Sequence, residues 1–284
     1  MTTHINIYQI FYNAETRTQI DPAYQPLDNT DGRTDWYEFW PIRKFLLENQ
    51  LNEDEYYGFL SPRFESKTKV TPADLFGFIQ SQTQTDIDAF IFSLEWSHSV
   101  YFRNIIEQGE ACHPKFWSAM EAFLQRTNPH INLNEVVNHS QNNVFSNNIV
   151  AKPVFWRQWL ILANQLFDFI ENSSDDDASQ LASPTNYNFI KDSVSMKVFI
   201  QERLASLLLA TQPFKVKAYD CSRQDNSLSL IHNLEQFRHD MLVMDALKIA
   251  FCQTGLACYD DAFIQHRDIL VKKVNDYTAG QRNS

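Results

Sequence analysis

Glycine is scarce in this chain: 6 of 284 residues, about 2%, where a share of about 7% is usual. The six stand at positions 32, 58, 77, 109, 255 and 280, so no two share a loop. That spacing excludes the G-x-G-x-x-G dinucleotide turn, the Walker P-loop and the G-x-S-x-G nucleophile elbow, each of which needs several glycines within a few residues. A phosphate held here must be held by side chains or by a metal. Positive charge is short too. Lys and Arg number 24 against 35 Asp and Glu, a formal net charge of -11. No window gathers five basic residues, so the electrostatic footprint of a nucleic-acid partner is missing. Cys112, Cys221, Cys252 and Cys258 form no C-x-x-C pair and no zinc spacing, as expected of reduced thiols in a cytoplasmic protein. No stretch reaches the roughly 18 apolar residues of a membrane span, and residues 1–10 lack a signal peptide's charged start and apolar run. The expected location is the cytoplasm, with at most peripheral contact at the inner face of the plasma membrane.

Apolar material is plentiful. Hydrophobic residues make up 44% and aromatic residues 14%, which supports a sizeable core and excludes whole-chain disorder. Period-2 or continuous apolar runs predict strands over 4–11, 56–60, 88–94, 144–151 and 214–219. Helical periodicity fills most of the rest. Thr71-Pro72-Ala73-Asp74 carries a capping hydroxyl, a proline at the first helical position and an acid in the first turn. A helix over 97–108 is expected to stop at Gly109. Long helices are predicted over 154–171, 196–210, 234–254 and 259–274, with a polar acidic loop over 172–186. Strands alternating with helices predict an α/β sheet, and the last third predicts a helical part packed on it. The expected division is a catalytic domain over 1–210 and a helical extension over 211–284. In such sheets ligands bind beyond the carboxyl ends of the strands, where strand order reverses.

Five groups of residues carry candidate chemistry. Asp28-Asn29-Thr30-Asp31 is followed by Asp35-Trp36-Tyr37-Glu38-Phe39-Trp40-Pro41-Ile42-Arg43. Its acids have capping-box spacing, and its aromatics and Arg43 suit a wall that stacks on a base or sugar. Tyr56 to Phe64 ends a strand with Ser61-Pro62-Arg63, where Arg63, with Lys67 four residues on, can neutralise a diphosphate. Asp86 and Asp88 have the i, i+2 spacing of a divalent-cation pair, but they precede an apolar run and equally suit a turn. Glu110 and His113 suggest a proton shuttle, although a histidine before Pro114 is commonly a packing residue. Glu202 and Arg203 interrupt an apolar helix, where an unpaired charge is costly. They either pair within the core or face a cleft.

The order of these blocks resembles bacterial glycosyltransferases of capsule and lipopolysaccharide gene clusters. The resemblance runs from an N-terminal strand and Asp28-Asn29 through the Trp36–Phe45 helix, Tyr57-Gly58-Phe59-Leu60-Ser61-Pro62-Arg63-Phe64 and Asp88-Ala89-Phe90-Ile91-Phe92. It continues through Ser146-Asn147-Asn148-Ile149-Val150-Ala151 and Glu202-Arg203-Leu204. It covers about residues 5–210. The resemblance implies a GT-A-like, Rossmann-like mixed sheet flanked by helices, with a helical C-terminal part. It also implies transfer of a sugar from a nucleotide-diphosphate donor, a UDP-sugar above others, to an oligosaccharide or lipid-linked glycan. Tyr8, Tyr12, Asp28, Asn29, Trp36, Arg43 and Arg63 are then expected at the donor, and Glu110, His113 and Asn148 at the acceptor or sugar. Glu202 is the expected catalytic base, with Arg203 as its partner. The chain departs from the family at Ser61-Pro62-Arg63, where a His and an Arg are absent, and it lacks a D-x-D at a strand end. Mn or Mg is the candidate cofactor, with Asp86 and Asp88 as its candidate ligands. A carbohydrate-binding or scaffold protein and a sugar-phosphate transferase are the rival readings.

Overall fold

The computed structural model describes residues 4–82, 85–93, 95–172, 176, 181–187, 190–222 and 234–282. Strands β1 (Ile5–Phe11), β2 (Gln25–Asp28), β3 (Tyr56–Leu60), β4 (Ala89–Ile91), β5 (Ile149–Ala151) and β8 (Val216–Ala218) form one mixed sheet. Its order is β2-β1-β3-β5-β4-β8. β5 runs antiparallel to both neighbours and every other pairing is parallel. A separate antiparallel pair joins β6 (Pro184–Tyr187) to β7 (Ile190–Ser195).

All five residues of β3 are buried, as expected of a central strand covered on both faces. Its alternation sorts the two layers. Tyr57 and Phe59 join Trp36, Phe39, Trp156 and Trp159 beneath α2 (Phe39–Glu48) and α8 (Pro153–Asn172). Tyr56 and Leu60 join Ile7, Phe64, Leu75, Ile79 and Phe90 beneath α3 (Phe64–Thr68) and α4 (Pro72–Ser81). Gly58 sits where Val150 and Ile7 converge. A Cβ there would lie 2.8 Å from Val150 Cγ2 and 2.9 Å from Ile7 Cδ1. Gly58→Ala is expected to cost about 1–3 kcal/mol by overpacking, read as a lower urea midpoint.

Several expected boundaries shift. Residues 144–151 form a strand only from Ile149, because Ser146 (φ 53°) and Asn147 (φ 54°) are left-handed and cannot continue one. The helix expected over 97–108 is two: α5 (Trp96–Tyr101) and α6 (Ile105–Cys112). Asn104 starts the second by accepting the Ile106 and Glu107 N–H groups through its side chain. Gly109 does not end a helix; it lies inside α6, where the Phe116 ring of α7 (Phe116–Thr127) fills the space of a side chain. The helix expected over 196–210 breaks at Glu202-Arg203 into α9 (Met196–Gln201) and α10 (Leu204–Thr211). Thr71 and Asp74 form the expected capping box. Much of the loop expected over 172–186 lies outside the described residues, and its last residues enter β6. The sheet does not stop at residue 210 either, since β8 pairs with β4.

The helical C-terminal part is α11 (Leu234–Thr254) and α12 (Ala257–Arg282), docked on α5 through Trp96, Val100, Met241, Met244, Phe263 and Leu270. Lys248 is fully buried there, its pKa pushed down to about 7 by burial, and donates to the Ser99 and Phe102 carbonyls that end α5. Among the described residues, no helix is long and apolar enough to cross a membrane.

Candidate active site

The strand directions bring the carboxyl ends of β1, β2, β3, β4 and β8 to one edge, together with the amino end of β5. Strand order reverses at β1, which is followed in sequence by β2 on one side and β3 on the other. Tyr12 stands one residue beyond β1. Its phenol is held well above its ordinary pKa, first by burial and then by the charge of Glu38, with Tyr37 and Arg63 also close. Its hydroxyl makes no well-formed hydrogen bond among the described residues.

The same lack of partners recurs along this edge. Asn29 Nδ2 beyond β2, Ser93 Oγ and Glu95 Oε2 beyond β4, and Asn147 Oδ1 before β5 are buried without a hydrogen bond among the described residues. So are Ser97 Oγ on α5 and Gln201 Oε1 at the end of α9. Buried polar atoms are nearly always paired, so these groups are completed by water or a bound molecule, as are Tyr24 Oη and Trp159 Nε1 away from this edge. The backbone is strained here as well: Tyr37 (φ 44°), Ser146 and Asn147 all stand in the positive-φ region. The Phe92 N–H bonds the Asn148 carbonyl at 2.9 Å, which fixes the β4 and β5 parts of the edge side by side.

Glu202 occupies the break between α9 and α10. Burial pushes its carboxyl up to about 7, Arg203 and Lys67 pull it down, and Glu38 raises it further. The residue nevertheless keeps some accessible surface, and among the described residues no group hydrogen-bonds its carboxylate. Glu202 is thus half-buried at the break between the two helices. Glu95 behaves similarly, its carboxyl raised by burial and opposed by Lys67. Two exposed cations belong to this edge: Lys67 acts on both acids, and Arg63 acts on Tyr12. Lys67 lies on α3, and Arg63 precedes it with its N–H bonded to Ser61 Oγ at 3.1 Å. The Arg63 guanidinium has no ion pair, hydrogen bond or ring contact among the described residues. Arg33, Arg43, Arg103, Arg203 and Arg267 are all engaged.

The edge thus gathers Tyr12, Asp28, Asn29, Arg63 and Glu202 from the residues singled out in sequence. Asp28 keeps its carboxylate at the surface in a turn with Thr30, accepting from the Thr30 N–H and hydroxyl at 2.8 Å each. Other candidates fall elsewhere. Tyr8 lies within β1 against Phe45 and Phe59. Trp36 is fully buried on Phe39, its indole N–H bonded to Glu171. Arg33, Asp35, Glu171 and Lys197 lock that corner as an ion-pair network. Arg43 joins α2 to α8, donating to Asn164 at 2.7 Å with its guanidinium over Phe167. Arg203 is 3% exposed and donates to the Phe199 and Ile105 carbonyls and to Gln108, so it is a structural strut. Glu110 accepts the Lys115 and Trp117 N–H groups and starts α7. His113 is stacked on Phe199 at 3.6 Å, and burial, helped by Arg203, pushes its pKa down to about 3. Its setting favours the neutral imidazole. Asn148 is buried in the turn that starts β5, with its N–H on the Phe145 carbonyl.

Asp86 and Asp88 lie at the amino end of β4, across the sheet from this edge. Asp86 is paired with Lys152 (2.8 Å) and Lys215 (2.7 Å), and Asp88 accepts the Lys215 N–H. Among the described residues no three His, Cys, Asp or Glu side chains gather as a metal site. The acids nearest the edge, Glu95 and Glu202, are both acted on by Lys67. Glu95, Ser93, Ser97 and Asn147 were missed in sequence, although the rule that ligands sit past strand ends points to the segment after β4.

No family model matches this chain, and no curated protein matches it. Among solved structures, the apo form of WbbM, a bifunctional glycosyltransferase, aligns with 76% of this chain at 13% identity and a TM-score of 0.45. The aligned part is 44% of that protein, so this chain spans less than half of its length.

Proposed function

We propose that the chain is a glycosyltransferase that moves a sugar from a nucleoside-diphosphate donor, a UDP-sugar above others, to a hydroxyl of a surface-glycan acceptor. The observation that carries this reading is the carboxyl edge itself. It sets Glu202, a carboxyl pushed up to about 7 and acted on by Lys67, on the same edge as Tyr12 and the exposed Arg63. The order of motifs from Asp28-Asn29 to Glu202-Arg203-Leu204 supports the same reading.

In this mechanism Glu202 takes the proton of the acceptor hydroxyl as its oxygen bonds to the donor's anomeric carbon. The bond from that carbon to the diphosphate breaks, and the nucleoside diphosphate leaves with its charge offset by Arg63 and Lys67. Buried Asn147, Ser97 and Glu95 supply hydrogen-bonding groups of the kind a polyol needs. An oligosaccharide or lipid-linked glycan extended at the inner face of the plasma membrane is the acceptor that the resemblance implies. Assay with and without EDTA shows whether Mn or Mg shares the charge of the leaving diphosphate with Arg63 and Lys67.

The test is product analysis with a panel of nucleotide sugars. Release of a nucleoside diphosphate with a glycosylated acceptor supports the reading. Release of a nucleoside monophosphate would instead identify a sugar-phosphate transferase, and binding without turnover a carbohydrate-binding protein. Arg63→Ala is expected to weaken donor binding by about 1.5–3 kcal/mol, the worth of a hydrogen bond to a charged group, with the fold unchanged because the side chain is exposed. Calorimetric titration of the donor checks it.

A further inference from the structure

We propose that Tyr37 is the platform on which the donor's nucleobase stacks, an inference that rests on the donor site above. Its backbone stands at φ 44° and ψ -131°, a conformation that is nearly the preserve of glycine. Tyrosine there is under strain, and strain of this kind persists where the surrounding structure enforces it and clusters at ligand sites. The enforcement is visible. Tyr37 follows the one-turn 3-10 helix Thr34–Trp36, with its N–H on the Thr34 carbonyl at 3.3 Å, and Glu38 beyond it leads directly into α2. Trp36 on one side is pinned by Phe39 and Glu171.

The ring held in this way is left uncovered. Tyr37 is 43% exposed, and it is the one exposed aromatic among the residues whose side-chain burial is described. It makes no ring contact among the described residues, whereas the neighbouring Trp36 is stacked on Phe39 and tilted against Phe167. Its position is the second independent observation. Tyr37 stands in the connection that leaves the carboxyl end of β2 for α2, and its charge and that of Arg63, beyond β3, both act on Tyr12, one residue beyond β1. A flat, sequence-tolerant face on an edge that also carries Arg63 is complementary to a base attached to a diphosphate. The sequence offers Tyr8, Tyr12 and Trp36 for the base. The turn instead sends Trp36 into the core and its neighbour outward.

The experiment is calorimetric titration with uridine, cytidine, guanosine and thymidine diphosphates and with inorganic pyrophosphate. The diphosphate that binds wild type tightest is carried to Tyr37→Phe, Tyr37→Ala and Tyr37→Gly. Tyr37→Phe is expected to bind like wild type, and Tyr37→Ala and Tyr37→Gly about tenfold or more weaker, the loss of one base–aromatic stack. Pyrophosphate, which has no base, is expected to bind all four proteins alike. Tyr37→Gly, which relieves the backbone, is expected to melt at a higher temperature than wild type while binding less well. A merely structural tyrosine would not produce that opposition. Equal nucleotide affinity in Tyr37→Ala and wild type, or an equal loss of pyrophosphate binding, overturns the inference and leaves the donor site standing. Failure of every nucleoside diphosphate to bind wild type overturns the donor site and this inference together.

Discussion

Glu202→Gln is expected to fold, to bind the donor as wild type does, and to transfer sugar at least about 10²-fold more slowly, in line with usual general-base contributions. The variant keeps the shape of the side chain and removes the proton acceptor. The wild-type rate is expected to rise with pH through a limb centred near 7, where the Glu202 carboxyl ionises, and that limb is expected to vanish in the variant. Stability moves the opposite way. The folded carboxyl ionises at about 7 and the unfolded one near its ordinary 4.5, so the folded state binds the proton more tightly. The stability contributed by the neutral form is therefore complete below about 4.5 and is lost as pH rises through 7. Glu202→Gln is permanently neutral and is expected to melt above wild type at pH 8 and close to it at pH 4. A folded variant with full transferase activity would remove Glu202 from the mechanism.

Arg203→Met is expected to do the reverse: to damage the fold and leave the chemistry of the folded fraction largely intact. The guanidinium lies over the Phe116 ring, at 4.8 Å from its centroid, and donates to the Phe199 and Ile105 carbonyls and to Gln108. It thereby ties α9 to α6 and α7. Methionine keeps most of the stem but strands three buried acceptors, each costing about 1–3 kcal/mol when unsatisfied. A loss on the order of 3–5 kcal/mol is expected in denaturant unfolding. Turnover per folded molecule should fall far less than in Glu202→Gln. A wild-type unfolding midpoint would contradict the strut assignment.

The contrast between these neighbours marks what sequence can and cannot supply here. An apolar run interrupted by Glu202 and Arg203 announces two charges that need an explanation. It does not announce the break between α9 and α10 that leaves one half-buried and sends the other into a cage of carbonyls. Trp36 and Tyr37 pose the same problem. Helical spacing cannot reveal that a strained residue reverses which aromatic faces out. β3 was legible because both of its faces are buried, which leaves the continuous run Tyr56–Leu60, and β1 because Ile5, Ile7, Tyr8, Ile10 and Phe11 dominate it despite the buried Asn6 and Gln9. β2 was not, because Gln25-Pro26-Leu27-Asp28 is a mostly exposed edge strand whose proline suits an edge. Asp86 and Asp88 had the spacing of a metal pair. They stand before β4, at the amino edge, where Asp86 pairs with Lys152 and Lys215 and Asp88 accepts the Lys215 N–H.

The central claim is that the edge around Tyr12, Arg63 and Glu202 holds a nucleoside diphosphate and its sugar. A thermal-shift titration of wild type and Arg63→Ala with nucleoside diphosphates and their sugars, with and without EDTA, tests it most directly. A ligand at a hundred times its dissociation constant adds about 2.7 kcal/mol to the folded state, well within reach of such a measurement. At least one nucleotide sugar is expected to raise the wild-type melting temperature, and Arg63→Ala to lose most of that shift at the same concentration. No shift in wild type with any of them, or an equal shift in Arg63→Ala, would contradict the central claim.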